Sequence, residues 1–367
     1  MKLKVCHLTS AHPRNDVRIF LKECTSLAAS DFEVSLIVAD GKDNEEINNV
    51  KIINACNKAN SNRFVRMTKN VWQGYKTAKN QKADIYHLHD PELLTVALLL
   101  KTSNNRVFFD AHEDLPKQLL DKHYINKYLR KILSKLVSIF EKFVCKRLSG
   151  IITATPSIAD KFMEINPNTI NVSNFPLLNE MVEVTDWSKK RNEICFIGSI
   201  TKIRGLAQVV ESLKFTNDII LNIAGNYSPQ TFRDELMKQE GWKKIKDLGI
   251  ISRTQCSEIM SVSKVGIVTF LPAANHVDAQ PNKMFEYMSA GIPVIGSDFP
   301  LWKEIIEKND CGLCVDPSNS IQIAEAINYL ILNANEAERK GMNGRKAVLE
   351  KYNWNVESEK LINFYKK

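Results

Sequence analysis

The residues best suited to chemistry lie in Pro281 to Ser297, PNKMFEYMSAGIPVIGS. Pro281 can open a helix, Met284, Phe285 and Met288 follow at helical spacing, Gly291 ends it, and Pro293 to Ile295 begin a buried strand. Asn282, Lys283 and Glu286 then sit on the opening turns. A helix N-terminus offers unpaired N–H groups and a positive dipole end to a phosphate, and Lys283 adds charge. Glu286, one turn further in, can accept hydrogen bonds from sugar hydroxyls. A plain capped helix with a solvated Lys and Glu would carry the same residues. Upstream, FIGSITKIRG (Phe196 to Gly205) puts Gly198 and Ser199 at a strand end, and Lys202 and Arg204 before the next helix. Glycine there lets backbone approach a phosphate, and a cation can neutralise a diphosphate leaving group. A simple βα turn with exposed cations is the bland alternative. Gly225 closes the following strand, a weak signal that any strand-ending glycine would give.

The first half carries a different set. Thr9 to Glu23 (TSAHPRNDVRIFLKE) holds His12, Arg14, Asp16 and Arg18 and no glycine, so it is not a dinucleotide fingerprint. Asp16 and Arg18 can equally form a structural ion pair. His89, Asp90 and Glu92 follow one apolar run and His112 and Glu113 another, the strand-end positions that face the ligand crevice of a doubly wound sheet. A His-rich set suggests zinc, but His87 and His89 are taken to alternate sides of a strand and no spacing matches a metal site, so no metal is expected. Cys311-Gly-Leu-Cys314 lies in an apolar strand pattern and reads as bland.

These residues need a scaffold of parallel sheets. Runs such as Leu3 to Leu8, Val34 to Val38, Ile85 to Leu88, Val107 to Phe109 and Ile151 to Thr153 alternate with helical-period segments, and a second series runs from Ile194 to Val315. The reading is α/β: two Rossmann-like doubly wound domains facing a central cleft. Residues 1–175 form the first, 176–191 a linker, 192–352 the second. The chain has 367 residues, 44% hydrophobic and 25% charged, with net charge +8, which excludes disorder and fibre. Its charge-free apolar stretches, such as Leu93 to Leu100, are far short of the roughly 20 residues of a membrane span. No leader pattern is read at MKLKVCHLTS, and a cytoplasmic location is expected. The eight cysteines are scattered and expected to be reduced thiols. Asn126 to Arg147 is amphipathic: Leu129, Ile132, Leu133, Leu136, Phe140, Phe143 and Val144 form one face, expected to pack on the sheet. Lys127, Lys131, Lys135, Lys142 and Lys146 form a basic stripe suited to an anionic membrane surface.

Asp278-x7-Glu286 with Tyr287, Ala290, Gly291, Pro293 and Val294 resembles the E-x7-E signature of family 4 glycosyltransferases of GT-B fold, with Asp for the first Glu. The Arg204-Gly205 turn resembles that family's Lys-Gly, with Ser199 where the family usually has Arg. The His12 to Glu23 loop is similar to the R-N-D-x-R-I-F-x-K-E stretch of a bacterial surface-polysaccharide, O-antigen-type subgroup. The resemblance implies a retaining, metal-independent transfer of a sugar from a nucleotide diphosphate, UDP favoured, to a glycan hydroxyl. It implies Glu286 on ribose, Asp278 near the donor sugar, His112 positioning that sugar, and a donor site of Gly198, Ser199, Lys202, Arg204, Gly225, Asn282 and Lys283. Asp16, Arg18, His89, Asp90 and Glu113 fall on the acceptor side. The last helix, 353–367, is expected to pack back on the first domain. The basic stripe suits a polyprenyl-diphosphate-linked acceptor at the inner face of the cytoplasmic membrane. A sugar-nucleotide 2-epimerase and an inactive scaffold are the rivals. Nucleic-acid binding is disfavoured, since no exposed aromatics interleave the cations.

Overall fold

A computed structural model describes residues 2–56, 66–120, 122, 125–180, 186–273 and 276–367. The chain divides into Met1–Asn174 with Trp354–Lys367, and Phe175–Asn353. Residues 181–185 of the expected linker lie outside the described residues.

The first unit is built on β1 (Leu3–Leu8), β2 (Phe32–Val38), β3 (Glu45–Ile47), β4 (Val50–Asn54), β5 (Ile85–Leu88), β6 (Arg106–Ala111), β7 (Gly150–Thr153) and β8 (Thr169–Asn171). Their order is β3-β4-β2-β1-β5-β6-β7-β8, parallel except for the β3–β4 hairpin. One face buries Cys6, Leu8, Tyr86, Leu88 and Phe109 with the helices Val71–Asn80 and Leu94–Leu100. The other face carries His7, His87 and Phe108 in register. It is roofed by a π-helical turn, Val17–Cys24, and by the C-terminal helix Trp354–Lys366, whose Phe364 and Tyr365 pack on Phe108 at 5.1 and 5.4 Å. Asp16 starts the π-helical turn by accepting from the N–H groups of Arg18 and Ile19, both at 2.9 Å.

The second unit contains β9 (Glu193–Ile197), β10 (Ile220–Ala224), β11 (Ile245–Asp247), β12 (Val265–Val268), β13 (Val294–Ser297) and β14 (Gly312–Val315), all parallel in the order β11-β10-β9-β12-β13-β14. The central strands are short apolar runs buried on both faces, as all-parallel sheets require, β12 and β13 throughout. Both sheets therefore reverse direction of growth beside their first strand, between β1 and β5 and between β9 and β12. Ligands of doubly wound sheets bind at the carboxyl ends beside such a reversal.

The helix Lys127–Cys145 overturns its expected orientation. Leu129, Ile132, Leu136, Phe140 and Phe143 are 41% to 58% exposed, and the face turned inward carries Ser134, Glu141, Val144 and Cys145. The reason is polar pairing: Ser134 Oγ donates to the Pro116 carbonyl at 2.8 Å, and the buried Glu141 pairs with Lys161, which also reaches Asp114 at 3.0 Å. Among the described residues no helix is long and apolar enough to cross a membrane. All eight cysteines are unpaired thiols.

Candidate active site

At the reversal in the second unit, Gly198 ends β9 with φ 138°, and the turn Lys202–Arg204 follows. Gly205, at φ 73°, is held so close that a Cβ there would lie 1.8 Å from the Thr269 carbonyl oxygen. The Leu271 N–H also donates to the Ile203 carbonyl at 2.8 Å, so this turn is stitched to the end of β12. The helix Asn282–Ser289 is tied to β9 by the Ile197 N–H, which donates to the Tyr287 hydroxyl at 2.9 Å. β9 can spare that donor because its pairing with β12 stops at Cys195. The Tyr287 ring fits only because residue 266 is glycine: a Cβ there would come 2.2 Å from it.

These ties gather the cations. A Cβ on Gly198 would lie 3.2 Å from Arg204 Nη1 and 3.9 Å from Lys283 Cγ. Arg204 is half-buried with its guanidinium 5.0 Å from the Phe270 ring centre, and burial pulls its pKa below the ordinary arginine value. No carboxylate among the described residues pairs with it. Lys283 pairs with Glu286 one turn on, and both stay partly exposed. Asn282 is exposed on the first turn, where amides lack helical partners. Asp278 is half-buried on the loop before this helix, a loop fixed by Trp302 Nε1 donating to the Ala279 carbonyl at 2.6 Å. Ser199 is exposed beside Gly198.

One expected donor residue turns away. Lys202 turns outward to Glu235, 2.7 Å away at the surface, because the short turn aims successive side chains apart. Gly225 stays beside Gly198, where a Cβ would lie 1.8 Å from the Gly198 carbonyl oxygen, and lines a cavity of about 400 Å³ with Asn226, Tyr227, Arg233, Asp247 and Gly249.

In the first unit His112, about one-fifth exposed, is the outermost of a polar column. Its Nε2 lies 3.1 Å from Asp110 Oδ2 and 3.4 Å from His89 Nδ1. Sequence reasoning missed His12 as a partner: its ring is 5.2 Å from that of His112, and its nitrogens lie 3.3 Å from Asp16 Oδ2 and 3.4 Å from Asp90 Oδ1. The bond to Asp16 raises the His12 pKa. Burial opposes the charge of Asp16, but His12 and the Ile19 and Arg18 amides outweigh it and hold the carboxyl down at about 2.

The expected acceptor-side placement fails for three residues. Arg18 is buried, donating to both oxygens of Asp110 at 3.0 and 2.9 Å and to the Val172 carbonyl at 2.8 Å. His89 and Asp90 are buried too, Asp90 accepting from Thr9 Oγ1 at 2.7 Å and the Ser10 N–H at 2.6 Å. Each found internal partners that a surface role would have left unmade. Glu113 is exposed and meets Gln118. His87 and His89 do not alternate: two residues apart on a strand they share a face, with ring centres 4.4 Å apart.

Residues 179–347 match the family model described as Glycosyl transferases group 1, and residues 18–172 match Glycosyltransferase Family 4. The sucrose-phosphate synthase structure from Thermosynechococcus elongatus aligns over 100% of this chain and 98% of its own, with TM-score 0.80 at 15% identity. The fold is GT-B. One glycosyltransferase family model thus lies on each unit of this GT-B chain. The Anabaena HepE structure in complex with UDP and glucose is similar at TM-score 0.73 and 12% identity, over 99% of both chains. An uncharacterized glycosyltransferase of Methanocaldococcus jannaschii is 25% identical over 177 residues, 47% of this chain. That match spans 44% of the archaeal protein's length.

Proposed function

We propose that this chain is a retaining glycosyltransferase moving a sugar from a nucleotide diphosphate, UDP for choice, to a hydroxyl of a lipid-linked glycan, without a metal ion. The observation that carries the reading is Arg204: a half-buried guanidinium with no carboxylate partner among the described residues, beside a glycine and the start of a helix. An anion is what such a group lacks. As the bond from the anomeric carbon to the diphosphate oxygen breaks, charge grows on that oxygen. Arg204, Lys283 and the first-turn amides at Asn282 stabilise it. The acceptor hydroxyl attacks on the same face and gives its proton to the departing diphosphate, which retains configuration. Glu286 holds the ribose, Asp278 the donor sugar's surroundings, and His112 the sugar. The UDP-bound HepE neighbour supports the choice of base.

The helix Lys127–Cys145 supports a membrane-borne acceptor and a role in bacterial surface-polysaccharide assembly, O-antigen included. Its exposed Leu136, Ile139, Phe140 and Phe143 are flanked by Lys131, Lys135, Lys142 and Lys146, the make-up of a helix lying in an anionic interface. Reversing the charge of Lys131, Lys135 and Lys142 is expected to weaken binding to anionic vesicles, and unchanged binding refutes membrane docking.

Thermal unfolding across UDP, GDP, dTDP, CDP and ADP, each with and without magnesium, tests the donor site. Ligand at ~100 times its dissociation constant adds roughly 2.7 kcal/mol. One nucleotide is expected to stabilise the wild type without magnesium and Glu286→Ala much less. A flat response to all five overturns the reading.

A further inference from the structure

Beneath His112 the first unit holds a sealed cluster that sugar transfer does not use. His7 and His87 are register partners on adjacent strands and His89 follows two residues on, so three imidazoles share one face of the sheet. Glu23, near the end of Val17–Cys24, comes down onto that face. Its Oε2 lies 3.9 Å from His7 Nδ1, 3.9 Å from His87 Nδ1 and 3.9 Å from His89 Nε2. The four potential ligand atoms all lie within 4.8 Å of one another, and all four side chains are fully shielded from solvent. Neither oxygen of Glu23 accepts a hydrogen bond, and His7 Nε2 and His87 Nε2 also lack one. A buried carboxylate without donors is costly unless something else meets its charge. Arg18 approaches Glu23 at 3.1 Å but spends its aligned N–H groups on Asp110 and Val172.

We propose that His7, Glu23, His87 and His89 bind a structural zinc ion that pins the Val17–Cys24 turn to β1 and β5. Three imidazoles and one carboxylate are a zinc donor set, and Zn–N bonds of about 2.0–2.1 Å in a tetrahedron place donors about 3.4 Å apart. The three 3.9 Å edges would close by about half an ångström, and the 2.9 Å hydrogen bond between His7 Nδ1 and His89 Nε2 would give way to the ion as that edge opened by as much. Asp110 supplies the outer carboxylate typical of metal-bound histidine: its Oδ2 lies 3.4 Å from His89 Nδ1, which leaves Nε2 to point at the ion. Arg18 in turn holds Asp110. Tyr365, whose hydroxyl meets His87 Nδ1, would yield that nitrogen to the metal. Four protein ligands and no opening to solvent make the site structural, so it is independent of the metal-free transfer proposed above.

The test uses the untagged full chain, unfolded in guanidinium with a chelator and refolded with or without zinc chloride, then desalted. The zinc-refolded protein is expected to retain one equivalent by elemental analysis and to unfold several degrees higher than the protein refolded without metal. Cobalt(II) in place of zinc is expected to give the intense visible bands of a tetrahedral site. Glu23→Gln and His87→Asn should each lose at least tenfold of the bound zinc, whereas His112→Asn, outside the set, keeps it. Wild type that holds less than a tenth of an equivalent, or variants that hold as much as wild type, overturn the proposal. Should both variants fail to fold, the wild-type metal content and cobalt spectrum decide it alone.

Discussion

The two strand-order reversals occupy the same place in their sheets and have opposite chemistry. Between β1 and β5 most charged groups find partners inside the fold, Glu23 excepted: Arg18 holds Asp110, and Asp90 draws in Thr9 and Ser10. Although burial opposes its charge, Asp110 is kept far below the ordinary carboxylate range by Arg18 and His112. Burial drives Glu23 the other way, well above it. Between β9 and β12 one guanidinium is left uncompensated and two charged side chains, Lys283 and Glu286, face each other where water can reach them. A sheet end whose charges cancel internally is a support. One that keeps a surplus charge is, in the function proposed above, a receptor.

That contrast can be broken by substitution. Arg18→Met should leave Asp110 buried without its cation and cost about 3–5 kcal/mol in urea unfolding, as for other broken buried pairs. A loss under about 1 kcal/mol would mean that the first reversal is not internally balanced. Arg204→Met is expected to do the reverse: a near-native urea midpoint, but nucleotide stabilisation abolished and transfer slowed by about 10²–10³-fold, the usual cost of one lost donor to a developing oxyanion. Lys202→Ala is its control. Its pair with Glu235 is exposed and worth about 0–1 kcal/mol, so donor binding should stay at wild-type level.

The smallest expected effect concerns the His12–Asp16 pair. Asp16, held down at about 2, adds stability that is present above the unfolded value near ~3.9 and lost as pH falls towards about 2. His12, raised, adds stability that is present below ~6.5 and lost as pH rises through its folded value. Asp16→Asn keeps a good N-cap and removes the charge. Urea midpoints between pH 2 and 5 should therefore vary less with pH in the variant than in the wild type. Equal slopes would show that Asp16 acts only as a cap.

Much of this arrangement was legible in the residues. The strand runs, the Arg204-Gly205 turn and the Asn282–Ser289 helix follow from local rules of period, glycine and helix start. Arg18 was not legible as a buried residue because its partner Asp110 is 92 positions away and no periodicity links them. The Lys127–Cys145 helix was misoriented for a related reason. An apolar stripe normally marks the inward face, but here the inward face is set by Glu141 and its partner Lys161, a pairing that only the fold brings together. His87 and His89 carried their shared face openly in their spacing of two.

The C-terminal helix has a consequence for how the molecule comes into being. Trp354 Nε1 donates to Ser26 Oγ at 2.8 Å, Glu357 accepts from the Ser173 N–H at 2.8 Å, and Tyr365 reaches His87. The first unit is thus finished by residues that follow the second in the chain, while the second, Phe175–Asn353, is whole before them. During translation the β1–β8 sheet must wait, with its histidine-bearing face covered by the Val17–Cys24 turn alone, for a helix made more than 180 residues after β8.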